Sequence, residues 1–225
     1  MSQAWVPGER LAGRPARPDW DVEGDGPRIG VLALQGDVLE HLRVLARVGA
    51  RPSRVRRPDH LDGLDGLVLP GGESTTIGKL LGLTGMLEPL RQRIAEGFPV
   101  FGTCAGMILL ADALAQDFEQ PLLGGLGVEV ERNAFGRQVD SFDTTLEVAG
   151  IGRVDASFIR APRVTRVLAD DVEVLAAVEE YPVVVRRGQL LASAFHPEVT
   201  GDDRLHALFV AHVAAQVARA STAST

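Results

Sequence analysis

Short apolar runs alternate with helical stretches from residue 28 onward, and this alternation limits the possible folds more than any other feature of the sequence. Runs of strand length lie at 29–34, 66–69 and 99–102. Between the first two, a helical stretch at 37–48 places Val38, Leu42 and Leu45 on one face with the 3.6-residue helical period. Strands that are apolar on both faces and are separated by helices indicate a parallel sheet with helices on both sides.

The second half of the chain shows short strands joined by tight turns. Candidate strands lie at 127–131, 144–148, 156–159, 172–178, 182–186 and 189–195, and an amphipathic helix follows at 202–219. The sequence therefore predicts an α/β fold with a mostly parallel central sheet, helices on both faces and an added antiparallel portion. Residues 1–27 are rich in Pro, Gly and charge, so we expect a mobile N-terminal extension, a single domain over 28–219 and a flexible tail over 220–225.

Charge and hydropathy exclude several classes of protein. The chain has 23 Lys and Arg against 30 Asp and Glu, and its net charge of −7 disfavours a nucleic-acid binder. The longest nearly apolar run, 98–111, is interrupted by Pro99, Gly102 and Gly106 and is too short to span a bilayer. The N-terminus has no apolar segment of the signal-peptide kind, so we expect a cytoplasmic protein with no membrane partner.

The single cysteine, Cys104, lies in the segment GTCAG at 102–106, between an apolar strand and an apolar helix predicted over 107–114. One cysteine cannot form an intrachain disulfide. Glycines on both sides permit the sharp, strained strand-to-helix turn that exposes a nucleophile, with helix N–H groups available to a developing oxyanion. This crevice at the carboxyl end of the sheet is where open α/β folds place ligands. A small buried cysteine beside a tight turn is the structural alternative.

One of the five histidines, His196, ends an apolar strand and is followed by Pro197 and Glu198. Residues two apart in an extended segment face the same side, so Glu198 can orient the imidazole while its other nitrogen takes the thiol proton. A capped turn is the alternative explanation for this segment. His206 and His212 are expected at surface positions of the last helix.

A glycine-rich segment, PGGES at 70–74, follows the strand at 66–69 and can offer backbone N–H groups to a small ligand. A phosphate-binding loop is disfavoured because the segment lacks the Gly-Lys-Ser/Thr ending and because Glu73 would repel a phosphate.

From 28 to 213 the sequence resembles the glutaminase subunits of pyridoxal 5′-phosphate synthase, which are class I (triad) glutamine amidotransferases with a flavodoxin-like fold. The segments that carry the resemblance are LQGD at 34–37, PGGEST at 70–75, GTCAG at 102–106, RNAFGRQVDSF at 132–142, FIRAP at 158–162 and AFHPEVTGDDRLH at 194–206. The resemblance implies hydrolysis of L-glutamine to glutamate and ammonia, and transfer of the ammonia to a TIM-barrel synthase subunit that makes pyridoxal 5′-phosphate.

The resemblance also implies a role for each matching residue. Cys104 would be the nucleophile, His196 the general base and acid, and Glu198 the group that orients the histidine. The implied glutamine site consists of Gly72, Glu73, Ser74, Arg132, Ile159 and Arg160, and the implied oxyanion hole consists of the backbone of Gly72 and Ala105. Without the resemblance, the ordinary role of either arginine is a surface ion pair. No cofactor and no metal are expected.

The segment RNAFGRQ at 132–138 is expected to face the synthase, whose binding would raise an otherwise low glutaminase activity. Three alternatives stay open: a different triad amidotransferase, a free-standing γ-glutamyl hydrolase, and a redox or stress sensor that uses the thiol of Cys104 as an oxidation site.

Overall fold

The computed structural model describes residues 18–132 and 142–223. The strands are β1 (Arg28–Leu32), β2 (Arg51–Val55), β3 (Gly66–Leu69), β4 (Val100–Thr103), β5 (Ala113–Leu114), β6 (Val128–Glu131), β7 (Phe142–Val148), β8 (Gly152–Phe158), β9 (Arg163–Val167), β10 (Glu173–Val178), β11 (Tyr181–Arg187) and β12 (Leu190–Ser193). The helices are α1 (Val38–Arg47), α2 (Ser74–Leu83), α3 (Leu87–Ala95), α4 (Ala105–Leu110), α5 (Pro197–Thr200) and α6 (Arg204–Ala223), with a 3₁₀ helix at Pro58–Leu61.

A seven-stranded sheet in the order β10-β11-β12-β4-β3-β1-β2 forms the centre of the described part of the chain. The pairs from β12 to β2 are parallel, whereas β10–β11 and β11–β12 are antiparallel. Strands β5, β6 and β9 form a second sheet, and β7 pairs with β8 in an antiparallel hairpin. The predicted α/β class, a mostly parallel sheet with an added antiparallel portion, is confirmed.

Helices cover both faces of the central sheet. A Cβ added at Gly66 in β3 would lie 3.1 Å from Val213 and 3.3 Å from Phe209, both on α6. Three residues along the same strand, the side chain of Leu69 meets Gly106 of α4, where an added Cβ would lie 3.0 Å away. Strand residues an odd number of positions apart point to opposite faces, so α6 and α4 lie on opposite sides of the sheet, as predicted.

The central strands are buried along their whole length. Every residue of β3 and of β4 is buried. Burial on both faces is what a continuous apolar run favours, because each side chain then leaves water for a packed interior. Each of these strands ends where the apolar run ends, and a polar or glycine-rich loop then leaves the sheet.

Helix α4 is shorter than the helix predicted over 107–114. It ends at Leu110, and Ala111 adopts an extended conformation with ψ 149°. The carboxylate of Asp112 then accepts hydrogen bonds from the N–H groups of Gly125 and Gly127. These bonds hold the chain in a new direction, in which β5 pairs with β6.

Parts of the predicted extension, tail and partner-facing segment lie outside the described residues, namely 1–17, 224–225 and 133–141. Within the described part of the extension, Trp20 packs against the core, and the guanidinium of Arg54 lies 5.1 Å from the centre of its ring. The division into 1–27, 28–219 and 220–225 stays a prediction. Across residues 18–132 and 142–223, every helix is too short or too polar to cross a bilayer.

Candidate active site

The loops that carry the predicted site residues leave the sheet at the same edge. Strands β1, β3, β4 and β12 are neighbours and parallel, so their carboxyl ends lie side by side. In this register Thr103 is opposite Ser193, and Leu69 is opposite Gly102. The segments that contain Cys104 and His196 therefore begin next to each other, and the PGGES loop begins beside them.

Cys104 occupies the strained turn that its flanking glycines predict. Its φ of 47° and ψ of −100° place a non-glycine residue in a sparsely populated region, where function often accompanies strain. Its N–H donates to the carbonyl of Ser193 at 2.8 Å, which fixes the turn to β12. A Cβ added at Gly102 would lie 2.6 Å from the backbone of Gly106, so only glycine permits this close approach.

His196 and Glu198 form a buried pair directly after β12. The Nδ1 of His196 donates to Oε1 of Glu198 at 2.8 Å, and the carboxylate side chain has no exposed surface. The ring packs against the PGGES loop so closely that a Cβ at Gly71 would lie 2.2 Å from its Cε1. The hydrogen bond fixes the tautomer of the imidazole, leaving Nε2 free for proton transfer.

The pKa of His196 reflects the charges around the ring. Burial lowers the pKa, but hydrogen bonding to Asp37, Cys104 and Glu198 outweighs burial and raises the pKa to about 12. Burial raises the pKa of the Glu198 carboxyl, an effect that its contact with His196 opposes. These contacts favour the protonated imidazole, which is the form that acts as a general acid.

A second carboxylate, that of Asp37, reaches the same imidazole. Its Oδ2 lies 3.3 Å from Nδ1 of His196, and the hydrogen bond to that ring is the largest cause of its lowered pKa. The ligand atoms of Asp37, His196 and Glu198 all lie within 4.8 Å of one another, close enough to hold a metal ion. Nδ1 of His196 already bonds with Glu198 and lies beside Asp37, so the three groups form an acid–imidazole cluster.

Glu73 is held at the N-terminus of α2 by several donors. Its carboxylate accepts hydrogen bonds from the backbone of Thr75 and Thr76 and from the hydroxyl of Thr76, at 2.7 to 3.1 Å. Burial raises its pKa, but these hydrogen bonds outweigh burial and lower the pKa to about 2. The carboxylate also pairs with Nη2 of Arg132 at 3.1 Å, and the guanidinium stacks 4.5 Å from the centre of the Phe118 ring. The pair offers one cation and one anion to a zwitterionic ligand.

The loops at 34–37 and 70–74 are bonded to each other. The side-chain oxygen of Gln35 accepts a hydrogen bond from the N–H of Glu73 at 2.8 Å, and Asp37 donates its N–H to the carbonyl of Gly71. Gly72 has φ 144°, and a Cβ there would lie 2.5 Å from Oε1 of Gln35. The backbone of Gly72 is therefore exposed to the cleft in a conformation that favours glycine.

A cleft of about 420 Å³ brings most of the predicted site residues together. It is lined by the predicted residues Gly72, Glu73, Ser74, Cys104, Arg132, Ile159, Arg160 and His196, and also by Gln35, Asp37, Ile108 and Val199. Of the remaining predicted residues, Glu198 lies behind the imidazole and Ala105 is the fully buried first residue of α4. Arg160 has φ 47°, a second strained backbone beside the cleft.

The sequence prediction missed the polar residues at the end of β1 and misplaced one histidine. Gln35 and Asp37 follow a parallel strand, and that position was the available signal for a site residue. His206 is fully buried and not at the surface as predicted, and it contacts His41, which is fully buried on α1. Helical periodicity could not reveal this contact, because the two residues are 165 positions apart.

Known proteins resemble this chain over most of its length. Residues 31–215 match the family described as the SNO glutamine amidotransferase family. The pyridoxal 5′-phosphate synthase subunit PdxT of Frankia casuarinae is 63% identical over 188 residues, which cover 82% of this chain and 94% of that protein. PdxT of Carboxydothermus hydrogenoformans is 52% identical over 188 residues, 83% of this chain and 97% of its own. A crystal structure of a glutamine amidotransferase is 53% identical, with a TM-score of 0.78 over 82% of this chain and 98% of that one.

Proposed function

The chain belongs to the SNO glutamine amidotransferase family, and from this premise we propose that it is the glutaminase subunit of a cytoplasmic pyridoxal 5′-phosphate synthase. It hydrolyses L-glutamine to glutamate and ammonia with Cys104, His196 and Glu198, and it passes the ammonia to a TIM-barrel synthase subunit. The observation that carries the proposal is that Cys104 and His196 line one cleft, with Glu198 hydrogen-bonded behind the imidazole.

The first half of the reaction releases ammonia. The sulfur of Cys104, whose proton has passed to Nε2 of His196, attacks the side-chain carboxamide carbon of glutamine and forms a C–S bond. The resulting oxyanion accepts hydrogen bonds from the backbone N–H groups of Gly72 and Ala105. When the tetrahedral intermediate collapses, the C–N bond breaks and the leaving nitrogen takes the proton from the imidazolium. The products of this step are ammonia and a γ-glutamyl thioester.

The second half of the reaction regenerates the thiol. Neutral His196 takes a proton from water as the water oxygen attacks the thioester carbon, and the C–S bond then breaks. Glutamate leaves, and sulfur and imidazole again share one proton. Glu198 keeps its carboxylate on Nδ1 throughout and stabilises the imidazolium whenever it forms.

The zwitterionic end of glutamine binds at the pair formed by Arg132 and Glu73. The guanidinium of Arg132 binds the α-carboxylate, and the carboxylate of Glu73 receives the ammonium, so that the substrate inserts its own charges between them. Ser74, Ile159 and Arg160 line the rest of the glutamine site. The charged end thereby fixes the distance of the carboxamide from Cys104, which is how binding energy contributes to orientation.

The decisive experiment compares the wild-type chain with Cys104→Ala in a glutaminase assay, each with the synthase subunit present. We expect the variant to keep its fold and its binding to the synthase while its ammonia release from glutamine falls to background. Ammonia release at the wild-type rate would contradict the mechanism. A glutamine-analogue electrophile should label Cys104, and free glutamine should block the labelling, which a redox sensor would not require.

Assembly with the synthase distinguishes this proposal from a free-standing γ-glutamyl hydrolase and from other triad amidotransferases. We expect the two subunits to co-purify, and the mixture to form pyridoxal 5′-phosphate from glutamine, a pentose phosphate and a triose phosphate. Full glutaminase activity without any partner, together with failure to support pyridoxal 5′-phosphate formation, would favour the free-standing hydrolase.

A further inference from the structure

A chain of buried polar side chains continues behind the triad. Nε2 of His41 on α1 lies 3.5 Å from Oε1 of Glu198 and 3.2 Å from the hydroxyl of Thr103. Its other ring nitrogen, Nδ1, lies 2.9 Å from Nε2 of His206 on α6. Both histidines have no exposed surface. Apolar side chains would fill this space without the cost of burying polar rings, which must be hydrogen-bonded to be tolerated. We therefore expect these two histidines to have a role beyond packing.

Both rings are neutral. Burial lowers the pKa of His206 to about 3. Burial, with the neighbouring imidazoles adding to it, also lowers the pKa of His41 well below its ordinary value. Each neutral ring has one N–H donor and one acceptor nitrogen, so the chain has only two possible directions.

The environment selects one of these directions. If His206 donates from Nε2 to His41, then His41 carries its proton on Nε2, which bonds to the hydroxyl of Thr103 at 3.2 Å and faces Oε1 of Glu198 at 3.5 Å. Nδ1 of His206, which has no hydrogen-bond partner among the described residues, is then a bare acceptor. In the opposite direction His206 would bury an unpaired N–H, and His41 would present a lone pair to a carboxylate. Both features are unfavourable, so the first direction holds.

We propose that His41 is a positioning residue of the triad, whose Nε2–H holds Glu198 and the turn that bears Cys104 in register, with His206 fixing its tautomer. The inference rests on the proposed glutaminase function. Thr103 immediately precedes Cys104, and Glu198 orients His196, so one N–H group contacts the supports of both the nucleophile and the base. Phe101 packs edge-on against His206 at 5.4 Å, which restrains the far end of the chain.

The tautomers can be read directly from the wild-type chain, so this test does not depend on a variant that folds. In ¹⁵N NMR spectra of histidine-labelled protein at pH 7, both His41 and His206 should be neutral and carry the proton on Nε2. A proton on Nδ1 of His41, alone or together with one on Nε2, would overturn the proposal, since the ring could not then accept from His206.

Two substitutions test the role in catalysis. His41→Leu leaves a side chain of similar size but removes the donor. We expect kcat for glutamine to fall about 10- to 100-fold while KM stays within about twofold, by analogy with the loss found when residues that orient metal ligands are replaced. His41→Gln restores an N–H donor of similar reach and should recover much of that loss. Leu45→Ala, a buried apolar change on the same helix, should destabilise the fold without lowering kcat.

All variants are assayed with the synthase subunit beside the wild-type chain. If the wild-type chain itself releases no ammonia from glutamine, the proposed function fails. If the wild-type chain is active and folded His41→Leu has the same kcat, the proposed function stands and the positioning role fails. Equal losses in the Leu and Gln variants would also overturn it, because the donor would then not be the property that matters.

Discussion

The carboxylate of Glu198 is one of the groups that raise the pKa of His196, and its replacement tests the triad at the scale of one residue. Glu198→Gln removes the negative charge, so the pKa of His196 should fall and the imidazolium should lose its buried charge partner. We expect kcat to fall about 10²- to 10⁴-fold with little change in KM. Steady-state ammonia release with the synthase present measures both constants. A kcat within threefold of wild type would contradict the assignment.

Asp37 offers a graded comparison for the same imidazole. Its carboxylate lies 3.3 Å from Nδ1, but its side chain is 41% exposed, so water screens its charge. Asp37→Asn should therefore lower kcat by no more than about tenfold, well below the effect of Glu198→Gln. If the asparagine variant were the more damaged of the two, Asp37 would be the principal acid.

Arg132 is expected to govern substrate binding. Arg132→Gln removes the cation that we propose binds the α-carboxylate, and loss of a charge-assisted hydrogen bond of about 1.5–3 kcal/mol should raise KM by roughly 10- to 100-fold. The matched control is Arg163→Gln, because Arg163 also pairs with a glutamate and stacks on an aromatic ring, Tyr181, yet lies outside the cleft. Glutamine titrations of ammonia release should show a raised KM for the first variant alone. If Arg132→Gln and Arg163→Gln had the same KM for glutamine, Arg132 would not be a substrate-binding residue.

Individual site residues were predictable where a local pattern required them. The glycines around Cys104 and the two-residue spacing of His196 and Glu198 are both short-range signals, and the structure places these three side chains together. His206 was not predictable, because its environment depends on which face of a largely apolar helix meets α1. Sequence periodicity does not contain that information when apolar residues occupy several faces.

Helix α4 can begin directly after Cys104 because Gly106 permits close packing on β3. A Cβ at Gly106 would lie 2.3 Å from the backbone oxygen of Leu69, so α4 would have to move away from β3 to accept any larger residue. Gly106→Ala should lower the free energy of unfolding by about 1–3 kcal/mol and reduce ammonia release. A Cβ added at Gly82 on α2 would meet no described atom within 4 Å apart from its own helix backbone and chain neighbours, so Gly82→Ala should be neutral or stabilising by about 0.5–1 kcal/mol. Urea unfolding compares the two, and equal stabilities would contradict the packing argument.

The extent of α4 shows why the type of an element was predictable but its end was not. The apolar run after Cys104 predicted a helix, and a helix forms. Its end depends on Asp112, whose carboxylate binds N–H groups 13 and 15 residues later. A periodic pattern records only neighbours within one or two turns, so a bond to a distant loop does not appear in it.

At the scale of the whole molecule, the parallel order of strands explains why residues far apart in sequence share one cleft. The adjacent strands β1, β3, β4 and β12 all end at the same edge, so each contributes one loop to the site. The alternation of strands and helices predicted this edge as the ligand site, because open α/β sheets bind ligands at their carboxyl ends. That β12 pairs with β4 depends on how the long connection between them crosses back to the sheet, and local sequence patterns do not specify this.

The stability of the whole chain against acid should depend on His206. Folding lowers its pKa from 6.5 to about 3. Below pH 6.5 the unfolded chain therefore takes up a proton at this histidine that the folded chain does not, and the free energy of unfolding falls as the pH falls. Between pH 8 and pH 5 the loss is roughly 2 kcal/mol at about 1.4 kcal/mol per pH unit. His41 has the same sign as His206, because burial is the largest cause of its lowered pKa, and His196 has the opposite sign, because its raised pKa favours folding at lower pH. Both residues are present in the wild-type chain and in His206→Leu, so the difference between these two proteins reports mainly His206. Urea unfolding at pH 8 and pH 5 should therefore show a drop in stability that is roughly 2 kcal/mol smaller in His206→Leu than in wild type.

Phe209→Leu, on the same helix, should change stability equally at both pH values. An unchanged drop in His206→Leu would show that this histidine is not held neutral in the fold.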